Sequence, residues 1–272
     1  MASKESGKEF IQSVIGKHLA ANVRRYKYLV FNGSAHNTEL GYQADAKPFE
    51  GTVVDADETW ILIKQSRADF AVAEKALLET VPEVGTKVLL TPYARRQYDG
   101  TRIDAPKEDA SGTPGIFFST IIIGESRSRI PVDVQKLRSS YLKDMIDQIY
   151  RFKCPDGVRN LSNALVDFGG QHPEFFGVID PPDNDCLRER PAIKVAVNNQ
   201  KATNGCLTIE YDRVLDAYDI SLLSNGNEIR RVESVFFDDL AVVCCDMADD
   251  GQWKTIKVKV LKSASKPRKK AA

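Results

Sequence analysis

No stretch of this chain approaches the ~20 consecutive apolar residues that a membrane-spanning helix needs. Its longest apolar run, Ile116–Ile123, is interrupted by Ser119 and Thr120. The N-terminal segment Met1–Glu9 is polar and carries acids, unlike a signal peptide. Three familiar motifs are missing: G-x-x-x-x-G-K-[ST], G-x-G-x-x-G and H-E-x-x-H. Their absence removes the phosphate-cradle, dinucleotide and zinc-protease readings, and no cofactor is called for. Cysteine is scarce and odd in number: Cys154, Cys186, Cys206, Cys244 and Cys245 make five, with no C-x-x-C pair. Such cysteines form neither a disulfide framework nor a zinc ligand set, and they fit buried free thiols in a reducing compartment. The expected location is the cytoplasm, without membrane contact.

Histidine is rarer still, with His18, His36 and His172 only. His36 lies near Ser34 and invites a hydrolase reading, but the sequence offers neither an orienting acid nor an oxyanion hole beside it. Asp238-Asp239 and Asp249-Asp250 could pair as acid and base, yet they flank an expected helix, where acids are common caps. Asp180-Pro-Pro-Asp183-Asn-Asp185 resembles a calcium loop but lacks the glycine at its sixth position and the Glu at its twelfth, so it reads as a solvated turn. The expectation is a non-enzymatic protein with no metal.

What is present is ordinary globular material. Apolar residues make up 42% and charged residues 28% of 272 positions, enough for two domains with cores of their own. Net charge is zero, but unevenly so: residues 131–262 carry a net −4 and the last ten residues a net +4. A polyanion responds to charge within about a Debye length rather than to the sum.

Periodicity gives an α+β chain. Phe10, Ile11, Val14, Ile15 and Leu19 recur at helical spacing over Lys4–Ala21, with Ser3 as its cap. A strand over Tyr26–Phe31 ends at Asn32-Gly33. Strands Phe49–Val54, Trp60–Ile63 and Thr86–Pro92 follow, with a helical turn at Ala73–Leu78. Asp104–Gly115 reads as an exposed loop and Phe117–Ile123 as a last strand. This gives an N-terminal helix plus small β-barrel domain over 1–123, a linker over 124–131, an α+β domain over 132–262 and a disordered basic tail over 263–272. The second domain combines helices over Val132–Tyr150, Gly157–Phe168 and Asp238–Met247 with strands near Phe175–Ile179, Ala192–Val197, Cys206–Tyr211, Ala217–Leu223, Glu228–Val232 and Trp253–Leu261. Asn225-Gly226 marks a hairpin. The order suggests a mainly antiparallel sheet with helices on one face.

Several elements share a pattern: Gly51-Thr52-Val53-Val54, Trp60–Ile63, Leu77-Leu78, Val84-Gly85-Thr86-Lys87-Val88, and Tyr93 followed by Gly100. On these, residues 49–103 resemble the small barrel of KfrB-type proteins, accessory modules of conjugative plasmids and related mobile elements. Where that family carries a His or Arg in its middle strand, this chain reads Arg67-Ala68-Asp69-Phe70. The resemblance implies a barrel that serves a mobile element.

The cluster with most functional content is Lys87, Tyr93, Arg95, Arg96, Tyr98 and Arg102. Guanidinium forks suit phosphate, and aromatic rings offer stacking faces to single-stranded bases. The competing reading is a solvated hairpin with Arg95 and Arg96 paired to Asp99, Asp104 or Glu83. The tail cations Lys266, Arg268, Lys269 and Lys270 could add weak, salt-dependent affinity, or serve only solubility. The expected function is an accessory protein of a mobile genetic element, its barrel contacting single- or double-stranded nucleic acid and its second domain binding a protein of unknown identity. The alternative is a pure protein-interaction module or inhibitor of a host factor.

Overall fold

The computed structural model describes residues 2–37, 41, 43–105, 107–108, 117–118, 127–169 and 176–264. Its helices are α1 (Lys4–Val14), α2 (Ser140–Arg151), α3 (Leu161–Asp167) and α4 (Leu240–Ala248). Its longer strands are β1 (Lys27–Phe31), β2 (Phe49–Ala56), β3 (Trp60–Lys64), β4 (Asp69–Glu74), β5 (Lys87–Thr91), β6 (Phe176–Ile179), β7 (Ala192–Val197), β8 (Gly205–Asp212), β9 (Ala217–Ser224), β10 (Asn227–Val235) and β11 (Lys257–Lys262). The chain is a mixed α+β protein of two compact units, Met1–Tyr93 with Lys254–Ala272, and Ala94–Trp253.

The first unit is built on a six-stranded sheet in the order β1-β4-β3-β2-β5-β11. β1 and β4 run parallel, and the other neighbours are antiparallel. Among the described residues no pairing joins β1 to β11, so the sheet keeps two edges and a closed barrel is not found. α1 begins where expected: the Ser3 hydroxyl accepts from Ser6 N at 3.0 Å, satisfying one orphan donor of the first turn. It lays Phe10 and Ile11, with Ile15 just beyond its end, over Val30, Trp60, Leu62, Phe70 and Val72 of β1, β3 and β4. Each such side chain contributes roughly 1.5–3 kcal/mol when fully buried. Gly7 allows that approach, because a Cβ there would lie 2.7 Å from Val30 Cγ1 and 3.2 Å from Trp60. The opposite face of the sheet holds a second core of Val53, Ile61, Ile63, Ala71, Val88, Leu90 and Ile256.

The second unit carries a five-stranded antiparallel meander, β6-β7-β8-β9-β10. Leu142, Met145, Ile146 and Ile149 of α2, Leu165 of α3 and Leu240 and Cys244 of α4 share one core with Ile193, Val195, Leu207, Ile209, Ile220 and Leu222. The helices therefore cover one face. The other face shows the polar row Lys194, Thr208, Ser221 and Arg231, paired across β7 to β10. Asn225 and Gly226 turn the β9–β10 hairpin with φ of 49° and 81°, the double left-handed pair that two-residue hairpins require.

Three expectations about organisation are corrected. The boundary falls at Tyr93/Ala94 rather than at residue 123. Residues 127–130, read as linker, are packed in the second unit: Ser128 is buried, donates to Arg96 O at 2.5 Å and accepts from Asn163 Nδ2 at 2.9 Å. The last strand, read as part of the second domain, pairs with β5 in the first, Val258 opposite Leu90 and Val260 opposite Val88. The strand expected over 117–123 is described only at Phe117–Phe118, and the basic tail from residue 265 lies outside the described residues.

Candidate nucleic-acid interface

The six residues read as a basic rim are divided between the two units. Lys87 and Tyr93 belong to the first unit, whereas Arg95, Arg96, Tyr98 and Arg102 belong to the second. Arg96 and Arg102 do face each other across a β-bridge, so the expected hairpin is there. Its side chains are engaged in the fold. Arg95 is 5% and Tyr98 2% exposed. The Tyr98 ring stands edge-on to Phe176 at 5.5 Å in the core, and burial pushes its phenol well above the ordinary value. Arg96 Nη1 donates to Gly100 O at 2.8 Å. Arg102 grips Asp104 through two parallel bonds, Nε to Oδ1 at 2.7 Å and Nη2 to Oδ2 at 2.8 Å. A fork already closed on a carboxylate has no free geometry for phosphate. The tail cations Lys266, Arg268, Lys269 and Lys270 lie outside the described residues.

A different cationic surface emerges from the sheet register. Lys64 lies opposite Phe70, which packs under α1, and Thr52 lies opposite Lys64. Lys87 pairs with Thr52 and Lys262 with Lys87, so this whole row shares the face that α1 covers further along. Two residues on, Leu89 lies between Lys259 and Glu50, and beyond it Thr91 lies opposite Lys257. Side chains alternate between faces, so Lys87, Lys257, Lys259 and Lys262 all project from the β2-β5-β11 half of that face. α1 spans β1, β4 and β3 and leaves this half uncovered among the described residues.

Glu50 is the one acid in these rows, and it pairs with Lys87 at 2.8 Å, both side chains about half exposed. Among the described residues Lys257, Lys259 and Lys262 are exposed and have no carboxylate partner. Lys257 and Lys259 are two positions apart on one strand, hence about 6.6 Å along it. Regrouping the sequence by unit sharpens this asymmetry. The first unit holds 19 Lys and Arg against 12 Asp and Glu, and the second 19 against 26, net charges of +7 and −7. The signal for this surface was the alternation Lys257-Val-Lys259-Val, but the partner strand of β11 had to be known before its face could be assigned.

The catalytic alternatives gain no support from geometry. His36 Nε2 lies 3.0 Å from Val30 O, its ring against Phe31, and burial lowers its pKa. Asp180 accepts from Arg138 N and Ser139 N, and Asp183 from Ser140 N at 2.8 Å, so that loop caps the start of α2. Among the described residues no group of three or more His, Cys, Asp or Glu is placed to hold a metal ion, and no helix is long and apolar enough to cross a membrane.

No protein-family model matches the chain, and neither does any curated protein or any solved structure.

Proposed function

We propose that this chain is a non-enzymatic nucleic-acid-contacting protein, and that the lysine-bearing half of its first sheet holds the phosphate backbone. The observation that carries this reading is the set of four lysines on the half of one sheet face that α1 does not cover, three of them without a carboxylate partner among the described residues, in a unit of net charge +7. Lysine is a point charge on a flexible stem and suits phosphate without demanding one orientation. The β2, β5 and β11 positions on this half of the face carry no aromatic side chain, so phosphate contacts rather than base stacking carry the binding, which is sequence-blind. In this reading the open-edged sheet takes the part of the small barrel, and the protein is an accessory factor of the mobile-element kind. The second unit, net −7, is repelled by a polyanion and contacts protein instead.

Fluorescence anisotropy with a labelled single-stranded oligonucleotide in about 50 mM salt tests it. Lys257→Ala/Lys259→Ala should weaken binding at least tenfold at this salt, as expected when two phosphate contacts, each adding roughly 0.7 to the slope of log K against log salt, are lost. Parent-like affinity of that variant, with its fold intact, removes the reading.

A further inference from the structure

All five cysteines belong to the second unit, as free thiols in unlike surroundings. Cys186 is turned to oxygen, its Sγ 3.5 Å from Pro182 O and 3.8 Å from Ser139 Oγ. Cys206 Sγ lies 3.8 Å from Thr208 Oγ1. Cys244 is fully buried in the core between α4 and the sheet, and that burial raises its pKa. Cys154 and Cys245 differ from these three, because each thiol is the other's hydrogen-bonding neighbour.

The fold brings the two together from distant parts of the sequence. Cys154 opens a tight turn closed by Gly157 N, which donates to Cys154 O at 3.1 Å, and Cys154 N donates to Arg159 O at 2.9 Å. Cys245 lies on α4. Asp249, one turn further and therefore on the same side, donates from its N to Cys245 O at 2.9 Å. Arg159 joins the two segments, since its carbonyl holds Cys154 and its Nη2 bonds the Asp249 carboxylate. The Phe152–Phe237 stack, 6.2 Å between ring centres, ties the same segments at the other end of α4. Neighbouring helical residues point about 100° apart. With Cys244 in the core, Cys245 therefore faces the turn that carries Cys154. Cys154 is buried, whereas Cys245 is only half-buried and open to a small solute. The bond to Cys245, and then burial, pushes the Cys154 thiol above its ordinary pKa, so Cys154 stays protonated and serves as the S–H donor.

We infer that Cys154 and Cys245 form an oxidation site, at which hydrogen peroxide converts the two thiols to a disulfide within the second unit. Cys245, the more accessible, reacts first: its sulfur attacks the O–O bond, becomes a sulfenic acid and releases one water. The Cys154 sulfur then attacks the sulfenic sulfur, the S–S bond forms, and the second oxygen leaves as water. The two thiols supply both electrons and both protons, and the peroxide is reduced. A resolving thiol this close ends the oxidation at its reversible stage, before sulfinic acid. The disulfide ties α4 to the turn after α2 and closes a long loop, which stabilises the unit. Neither cysteine belongs to the first unit, so this site is independent of the lysine face.

Thiol counting on the full chain tests this. The reduced protein is treated with a modest excess of hydrogen peroxide at neutral pH, then unfolded and alkylated without reductant. The parent should lose two of its five alkylatable thiols, together with the mass of two hydrogen atoms. A non-reducing tryptic map should show the Cys154 peptide joined to the peptide that bears Cys244 and Cys245, and dithiothreitol should separate them. Cys154→Ala and Cys245→Ala should each keep every remaining thiol under the same treatment, whereas Cys244→Ala should still lose two. A parent that keeps all its thiols overturns the inference, as does a loss of two that persists in Cys154→Ala. Cys245 driven to sulfinic acid without a cross-link overturns it as well. Should a variant fail to fold, the map of the parent decides alone, and a link from Cys154 to Cys186 or Cys206 contradicts the assignment.

Discussion

Replacing Arg159 by Met should cost the second unit about 3–5 kcal/mol, the range for breaking a buried ion pair by removing one partner. The Arg159 side chain has no exposed surface. Its Nε donates to Asp156 at 2.9 Å, Nη1 to Asp167 at 3.0 Å and Nη2 to Asp249. Its guanidinium also lies 4.0 Å from the centre of the Trp253 ring. Removing the cation leaves three carboxylates facing one another, each with 19% or less of its side chain exposed. Met preserves most of the volume, so little of the loss comes from a cavity. In a unit of this size the penalty corresponds to a fall in Tm of about 10 °C. Trp60 and Trp253 are the only tryptophans, one in each unit, so a Trp60→Phe background makes fluorescence report the second unit alone. Arg159→Lys keeps the charge but cannot reach three acids with a planar fork, and should lose an intermediate amount. A loss below about 1 kcal/mol for Arg159→Met would refute the reasoning, since it is the value of a solvated network.

Other predictions follow from separate parts of the molecule. Gly7→Val should destabilise the first unit by about 1–3 kcal/mol in urea unfolding, because its Cβ would meet Val30 at 2.7 Å in a filled interface. His18 lies 2.8 Å from Asp55, and this bond holds the Asp55 carboxyl below its ordinary pKa of 3.8. A depressed folded pKa stabilises fully above the unfolded value and is lost as pH falls through the folded one. Stability should therefore drop on acidification below about pH 3.8, and Asp55→Asn should show a smaller drop there by circular dichroism. Arg102→Ala should leave oligonucleotide affinity within about twofold of the parent, because its fork is closed on Asp104.

Local pattern revealed most of the elements and little of their pairing. The 3.6-residue recurrence of Phe10, Ile11, Val14 and Ile15 was enough for α1 and its buried face. Asn225-Gly226 was enough for the β9–β10 hairpin, because few other dipeptides accept two successive left-handed residues. β4 has no strand reading of its own in the sequence, since Asp69 and Glu74 stand at its ends, alanines lie within it, and Ala73–Leu78 reads as a helical turn. Its parallel partner β1 ends 38 residues earlier, with nothing local to link them. The Lys-Val alternation of β11 announced a strand but not that its neighbour would be β5, so its lysines were assigned to the wrong domain. Arg95 and Tyr98 misled for the opposite reason. Composition shows that a guanidinium or phenol is present, but whether it faces solvent depends on what packs over it, and both are buried.

The most direct test of the lysine face is the salt dependence of oligonucleotide binding for the parent and for Lys257→Glu/Lys259→Glu/Lys262→Glu. Losing three phosphate contacts should reduce the slope of log K against log salt by about 2, at roughly 0.7 per contact on single strands. An unchanged slope together with unchanged affinity would contradict the assignment.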